Sequence, residues 1–328
     1  GRLARTIAPL MNWGAKVDNR LTRPLMEKLA GIHRAARLPQ YRNPTLVRRA
    51  RKNTPQVNST APAAGRKVAI YATCFANYNS PAIGEAARAV LAHNGVESEV
   101  VYPRCCGMPQ LEQGDIARVV ENAQQTAADL AGWIDKDYDI VALVPSCALM
   151  LKLEWPLLAP GDAAIERLAA HSFDITEYIV AIAREEGLAD GLKALPGGVT
   201  LHMACHARAQ NIGHKAAQML KLVPDTDVNV IERCSGHGGS IGVTRDFHET
   251  ALKVGKPVAR RALEAGSRFV ASECPLAASH IVAGMEQLAA APGKDGAENE
   301  LGKNLPEAGR TYHPIELFAM AYGLGLTA

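Results

Sequence analysis

The seven cysteines of this chain form one pattern that occurs twice. The first copy consists of Cys74, the adjacent pair Cys105 and Cys106, and Cys147. Four thiolates from distant segments can bind zinc or an iron–sulfur cluster. Zinc sites usually contain cysteine pairs separated by about two to four residues, and the absence of such a pair here favours a cluster. Gly107 directly follows the pair, and we predict that it lets the backbone turn tightly against this cofactor.

The second copy has three cysteines, at Cys205, Cys234 and Cys274. Ser235 stands where the adjacent pair would be completed, and Gly236 follows it as Gly107 follows the first pair. We predict that Gly236 likewise lets the backbone turn tightly against a cofactor. Corresponding cysteines of the two copies lie 127 to 131 residues apart, so the spacing is nearly constant. We predict a second metal site, and its three thiolates leave a fourth position for a histidine, Ser235, water or a substrate.

Histidines crowd the loops around this second set of cysteines. His237 is the strongest candidate for a metal ligand, because it lies three residues after Cys234 in a glycine-rich loop that Gly236 begins. Histidine can replace thiolate on cluster iron and then raises the reduction potential. Each histidine can also be a packing or surface residue, and this alternative stays open. The four histidines are His202, His206, His237 and His280.

Disulfide bonds explain the cysteines poorly. A chain of 328 residues with 48% hydrophobic residues can bury a core without covalent crosslinks. Seven is an odd number, which would leave one thiol unpaired, and we find no signal peptide in the first residues. We therefore expect metal ligation in the cytoplasm, with a metal-free catalytic dithiol as an alternative.

A basic arm precedes the cysteine motifs. Residues 1–53 contain thirteen basic and two acidic residues, although the whole chain has a net charge of only +3. That modest charge and an aromatic content of 5% argue against nucleic-acid binding. The arm predicts contact with a partner protein or an anionic membrane surface at the inner face of the membrane, or else a solvated arm. We find no apolar stretch long enough to span a bilayer.

Short apolar segments lead to every cysteine position and alternate with helical patterns. This order predicts an α/β fold of two tandem, pseudo-twofold-related βαβ domains with parallel sheets, preceded by the basic helical arm. Ligands of open parallel sheets bind beyond the carboxyl ends of the strands, where the cysteines lie. The predicted boundaries are 1–65 for the arm and linker, 66–195 for the first domain and 196–328 for the second. The predicted strands are 68–73, 97–102, 138–144, 199–204, 228–231 and 268–272.

Local signals refine this arrangement. Ser80 is a candidate N-cap, with Pro81 in the first turn of the helix that follows. Met150 lies three residues after Cys147, where it can be a weak soft ligand, although a core-packing role is favoured. Three further helices are predicted at 112–134, 211–222 and 246–265.

The repeated motif resembles the cysteine-rich CCG domain family, which includes subunits of heterodisulfide reductases, glycolate oxidase and anaerobic glycerol-3-phosphate dehydrogenase. The resemblance covers about 66–291 and is carried by the segments 74–81, 104–109 and 202–206. It implies a 4Fe-4S cluster at the first site and a second cluster whose nuclearity stays open. Heterodisulfide reductase binds each cluster with five cysteines, whereas this chain offers four and three. The chain also has no ferredoxin-like cysteine run, so the chain is a fragment or its electron donor is a separate protein.

Three functions follow from these observations. The first is an iron–sulfur redox protein that passes electrons between a dehydrogenase or ferredoxin-like partner and a quinone or another redox acceptor. Its redox partner would be a flavin dehydrogenase, a ferredoxin-like domain or a rubrerythrin-like protein. The second is a heterodisulfide reductase-like subunit with an open iron at the second site. The third is a zinc-binding structural protein.

Overall fold

The computed structural model describes residues 7–291, 305 and 310–325. Arg2 and Arg5 of the predicted arm lie outside the described residues, as does much of the predicted second domain after residue 291. None of the described helices is both long and apolar enough to cross a membrane.

Two parallel sheets form the framework of the described chain. The four-stranded sheet has the order β2-β1-β3-β4 and the three-stranded sheet the order β6-β5-β7. The strands are β1 Lys67–Tyr71, β2 Glu97–Val101, β3 Asp139–Ala142, β4 Ser172–Asp174, β5 Val199–His202, β6 Val228–Ile231 and β7 Phe269–Ser272. The predicted α/β class with parallel sheets is confirmed.

Strand register aligns the carboxyl ends of the strands that precede the cysteines. Tyr71, the last residue of β1, pairs with Val101 on one side and Ala142 on the other. His202, the last residue of β5, is aligned in the same way with the last residues of β6 and β7. In both sheets, therefore, the strand before the first cysteine is central and its two neighbours lead to the other cysteines.

Helices fill the connections between strands, as parallel pairing requires. In the first half they are α1 Ala8–Ala15, α2 Thr22–Ala30, α3 Leu46–Ala50, α4 Cys74–Tyr78, α5 Pro81–His93, α6 Met108–Glu112, α7 Ile116–Ile134, α8 Pro145–Leu149, α9 Trp155–Leu158, α10 Ala163–Ala170 and α11 Ile175–Glu185. In the second half they are α12 Cys205–Ala209, α13 Lys215–Leu220, α14 His248–Ala265, α15 Pro275–Ala290 and α16 Pro314–Ala321. A π-helical turn, Met150–Glu154, joins α8 to α9.

Several predicted boundaries differ from those observed. The helix predicted at 112–134 is observed as α7 and begins four residues later, at Ile116, because Gly114 has a positive φ of 78° and separates it from the short helix α6. Strand β4 was not predicted. Ser80 occupies the N-cap position of α5 as predicted, although its side chain accepts no capping hydrogen bond. Pro81 lies in the first turn as predicted.

Packing divides the chain into two compact units, each with one sheet. The β1–β4 unit comprises Pro44–Ala194, His206–Pro224 and Ile315–Ala328, and the β5–β7 unit comprises Gly1–Asn43, Leu195–Cys205 and Asp225–Pro314. The units alternate along the sequence, whereas the predicted domains are contiguous. The domain boundaries stay a prediction.

Each unit has its own apolar core. In the β1–β4 unit, Trp155 and Met150 are fully buried among residues of β1, β3, α7 and α10. Met150 is thus a core residue, which agrees with the packing role that its sequence favoured. In the β5–β7 unit, the core lies between β7 and the helices α14 and α15, around Leu263 and Met285.

Candidate metal centre

The four cysteines of the first set lie at the carboxyl edge of the β1–β4 sheet. Cys74 begins α4 shortly after β1, Cys105 and Cys106 follow β2, and Cys147 lies in α8 after β3. Because β1 lies between β2 and β3, these three loops meet at one edge. Here the positions of the thiols follow directly from strand order.

Distances between sulfur atoms show that the first set is assembled. The Sγ atoms of Cys106 and Cys147 lie 3.2 Å apart, and those of Cys105 and Cys74 lie 3.9 Å apart. Cys106 and Cys147 are buried, whereas Cys74 and Cys105 are partly exposed. The structure thus brings together the four cysteines that the sequence assigned to the first site.

Local backbone contacts fix the loop that carries the cysteine pair. The indole Nε1 of Trp155 donates to the carbonyl oxygen of Cys106 at 3.1 Å, and the Tyr71 hydroxyl donates to that of Arg104 at 2.6 Å. Gly107 has a φ of 88°, in the left-handed region that favours glycine. A Cβ at Gly107 would lie 3.6 Å from the nearest side-chain atom of Val119, so conformation rather than space requires this glycine.

The loop before α4 is fixed in a similar way. Thr73 has a φ of 53°, and its Oγ1 accepts a hydrogen bond from the Ala76 backbone N–H at 3.1 Å. This contact satisfies one of the free N–H groups at the start of α4. Cys74 is therefore held at the first position of a capped turn.

Neighbouring thiols determine the electrostatics of this site. Hydrogen bonds with the thiols of Cys106 and Cys74 lower the pKa of Cys105 to about 3. The hydrogen bond with Cys105, followed by burial, raises the pKa of Cys74. The hydrogen bonds with Cys105 and Cys147, together with burial, also raise the pKa of Cys106. One thiolate thus forms easily, and further thiolates need a cationic core to balance their charge.

The donor set fits the cofactor that the sequence predicted. Four thiolates are the ligands of 4Fe-4S clusters and of some zinc sites, and a cationic core would supply the missing positive charge. Among the residues that the structure describes, no group of three or more His, Cys, Asp or Glu side chains is arranged to hold a single metal ion. The residues that would hold a cluster are Cys74, Cys105, Cys106 and Cys147.

The second set occupies the corresponding edge of the β5–β7 sheet. Cys205 follows β5, Cys234 follows β6, and Cys274 follows β7. Burial raises the pKa of Cys274, and the charge of Cys205 adds to this rise, so these two thiols are electrostatic neighbours. Cys205 and Cys234 are exposed. The second set is therefore the more open of the two.

Glycines let the loop after Cys234 pack directly on the backbone of α14. A Cβ at Gly236 would lie 2.1 Å from the Ala251 carbonyl oxygen, and one at Gly255 would lie 2.2 Å from that of Ser235. Gly236 also has a positive φ of 76°. Gly236 thus has a packing function in this structure, and its predicted contact with a cofactor stays a prediction.

The histidines around the second set have different environments. His202 is buried, with ring nitrogens 3.0 Å from Ser272 Oγ and 2.9 Å from the Arg233 carbonyl oxygen, which marks a packing residue. His237 Nδ1 accepts a hydrogen bond from the Gly239 N–H at 3.2 Å. The neutral ring then carries its proton on Nε2, so ligation through Nε2 requires this contact to be released. Its role as a ligand stays a prediction.

A row of imidazoles continues from His237 into the β5–β7 unit. The rings of His237 and His280 lie 6.3 Å apart, His280 and His248 also 6.3 Å, and His248 stacks on His33 at 4.4 Å. His206 instead belongs to the β1–β4 unit, where burial lowers its pKa. The sequence did not place His33 in this row, because only tertiary packing brings the arm to α14.

Comparison with known proteins finds one family that matches the chain twice. The model of the cysteine-rich CCG domain matches residues 68–152 and 199–281, so each match includes one set of cysteines. An anaerobic glycerol-3-phosphate dehydrogenase subunit of Escherichia coli (strain K12) is 24% identical over 283 residues, which cover 84% of this chain and 68% of that protein.

Two further relatives match this chain at similar identity. Lactate utilization protein A of Geobacillus thermodenitrificans (strain NG80-2) is 30% identical, over 54% of this chain and 74% of that protein. A dihydromethanophenazine:CoB--CoM heterodisulfide reductase subunit of Methanosarcina acetivorans is 24% identical, over 76% of this chain and 62% of that protein. With two matched domains and both cysteine sets in the expected loops, the chain belongs to the cysteine-rich CCG domain family.

Proposed function

We propose that this protein is an iron–sulfur subunit that transfers electrons within a dehydrogenase or reductase complex. The observation that carries the proposal is the assembly of four cysteines at one sheet edge, with Sγ separations of 3.2 Å between Cys106 and Cys147 and 3.9 Å between Cys105 and Cys74. The names of the relatives, which include dehydrogenase and reductase subunits, support a redox function.

A cluster bound at the first site would be buried on one side and closer to solvent on the other. When bound, an iron–sulfur cluster supplies one-electron transfer. Cys106 and Cys147 would hold it on the buried side, and Cys74 and Cys105 on the side nearer solvent. An electron donor or acceptor would therefore approach from the side of Cys74 and Cys105.

The proposed partners are redox proteins. The candidates are a flavin dehydrogenase, a ferredoxin-like domain and a rubrerythrin-like protein. Electrons would pass between a dehydrogenase or ferredoxin-like partner and a quinone or another redox acceptor. We propose that the protein acts in the cytoplasm, either free or in peripheral contact with the inner face of the membrane.

Exposure of the second set supports a second candidate, a reductase with an open iron. Three thiolates leave a coordination position free, and two of the three cysteines, Cys205 and Cys234, are exposed to solvent. A substrate could therefore reach a metal at this set, and a spectral change on adding substrate would indicate this function.

The test is anaerobic reconstitution of the whole protein with iron and sulfide. Iron, sulfide and zinc contents and EPR spectra would be measured for the parent, Cys106→Ser and the matched control Cys234→Ser. We expect Cys106→Ser to remove or convert one EPR signal that Cys234→Ser leaves intact. A parent that binds stoichiometric zinc without sulfide would instead establish the zinc-binding alternative. Unchanged iron content and spectrum in Cys106→Ser would refute the first-site assignment.

A further inference from the structure

The first two helices carry large apolar side chains that the rest of the described structure leaves exposed. Leu21, Leu25 and Leu29 are 78%, 55% and 74% exposed. They are spaced four residues apart, so they form a stripe along one face of α2 and the residue that precedes it. On α1, Leu10 and Trp13 are 61% and 49% exposed and lie three residues apart, again on one face. We call these five residues the arm apolar surface.

Contacts outside the arm apolar surface hold the arm in place. The segment after α2 is joined to the β5–β7 unit by a bridge between Ile32 and Thr244 and by an ion pair between Arg37 and Glu286. The His33 N–H also donates to the Val243 carbonyl oxygen at 2.9 Å. These contacts fix the segment that follows α2, and they leave Leu21, Leu25 and Leu29 exposed.

Polar contacts also hold α2 itself. The buried guanidinium of Arg23 donates to the carbonyl oxygens of Arg34 and His33 at 2.8 Å and of Ala36 at 2.5 Å. The Thr22 hydroxyl donates to the Gly14 carbonyl oxygen at 2.6 Å and joins α2 to the end of α1. Hydrogen bonds thus hold the pair of helices in place, and the side chains of the arm apolar surface stay exposed to solvent.

The charge around the arm apolar surface is positive. Arg20 and Lys28 each lie next to a leucine of the stripe. Residues 7–30 contain two acidic residues, Asp18 and Glu27. Glu27 forms an ion pair with Arg34, which neutralises its charge. Three basic residues of this segment are exposed and form no ion pair with another described residue. They are Lys16, Arg20 and Lys28.

We propose that residues 7–30 dock on an anionic lipid surface. The leucines and Trp13 would enter the headgroup region, and the neighbouring basic residues would contact lipid phosphates. Helices with leucine and tryptophan on one side and lysine and arginine beside them bind in this way, through buried apolar area and charge attraction together. This docking does not depend on the iron–sulfur function and would persist in protein without a cluster.

The test is flotation of the whole protein with phosphatidylcholine vesicles that contain or lack phosphatidylglycerol. We expect binding to the anionic vesicles that weakens as salt is added. Leu25→Glu with Leu29→Glu should reduce the partition coefficient at least about tenfold, because it removes two large apolar side chains. Arg20→Gln with Lys28→Gln should reduce it by about fivefold per charge.

Leu157→Glu is the matched control, because Leu157 is 74% exposed on α9, outside the arm. We expect it to bind like the parent, and circular dichroism would verify that every variant is folded. The proposal is overturned if the parent does not float with anionic vesicles, or if the leucine variant binds as well as the control. It is also overturned if the leucine variant abolishes only self-association or binding of a protein, since the arm apolar surface is then a protein interface.

Discussion

At the residue scale, burial gives one histidine, His313, a pKa far below the ordinary value. His313 is fully enclosed in the β5–β7 unit just before α16, and this burial lowers its pKa to about 3. The ordinary pKa of histidine is about 6.5. The folded protein therefore keeps this imidazole neutral over a pH range in which the unfolded chain becomes protonated.

This difference predicts acid-sensitive stability. Between about pH 6.5 and pH 3 the unfolded state binds one more proton at His313, so the free energy of unfolding should fall as the pH is lowered. The expected slope from this residue is up to about 1.4 kcal/mol per pH unit. Urea unfolding of the parent and His313→Gln at several pH values would measure it. Equal slopes in both proteins would contradict the prediction.

At the element scale, the loop after Cys234 and helix α14 meet backbone to backbone. Gly255 lies in the middle of α14, where a Cβ would come within 2.2 Å of the Ser235 carbonyl oxygen. The added Cβ and the Ser235 carbonyl oxygen are both fixed to the backbone, so the loop or the helix would have to move to separate them. The position of Cys234 thus depends on a residue without a side chain in the neighbouring helix.

We therefore predict opposite effects of alanine at two helical glycines. Gly255→Ala should lower the free energy of unfolding by about 1–3 kcal/mol, since overpacking displaces the loop. Gly132→Ala in α7 should raise it by about 0.5–1 kcal/mol, because nothing lies within 4 Å of the added Cβ and alanine favours the helix. Urea unfolding of both variants tests this pair. Similar changes in both proteins would show that the loop contact does not limit stability.

At the scale of the whole molecule, the β1–β4 unit includes the last described helix of the chain. Phe318 of α16 is fully buried. After α16, the Tyr322 hydroxyl donates to the Ala189 carbonyl oxygen at 3.0 Å. The unit that holds the first cysteine set therefore depends on residues far beyond that set in sequence.

This arrangement predicts that a change in α16 weakens the β1–β4 unit. Phe318→Ala should reduce the free energy of unfolding by about 3–5 kcal/mol, as expected for a large cavity in a core. Met320→Ala is the matched control on the same helix, because Met320 is exposed. Denaturant unfolding followed by tryptophan fluorescence would compare them, since two of the three tryptophans, Trp133 and Trp155, lie in this unit. A comparable loss of stability in both variants would argue against a core role for Phe318.

The sequence alone determined the chemistry and the class of the fold. Cysteine type and spacing predicted thiolate sites, and the alternation of strands and helices predicted parallel sheets with the cysteines beyond their carboxyl ends. Both predictions rest on local patterns, such as the apolar segment that leads into Cys74. The register of β1 with β2 and β3 then agreed with them, because parallel strands align their carboxyl ends.

Tertiary structure decided what local patterns do not encode. It gave the thiols of Cys74, Cys105, Cys106 and Cys147 unequal burial, and it shifted the pKa values of Cys74, Cys105 and Cys106 in different directions, since burial and pKa depend on how the separate cysteine loops pack together. It brought His33 of the arm onto His248, and it placed α16 in the unit of the first sheet. Residue type and spacing fix which groups are present, whereas burial and contact arise only when distant segments pack.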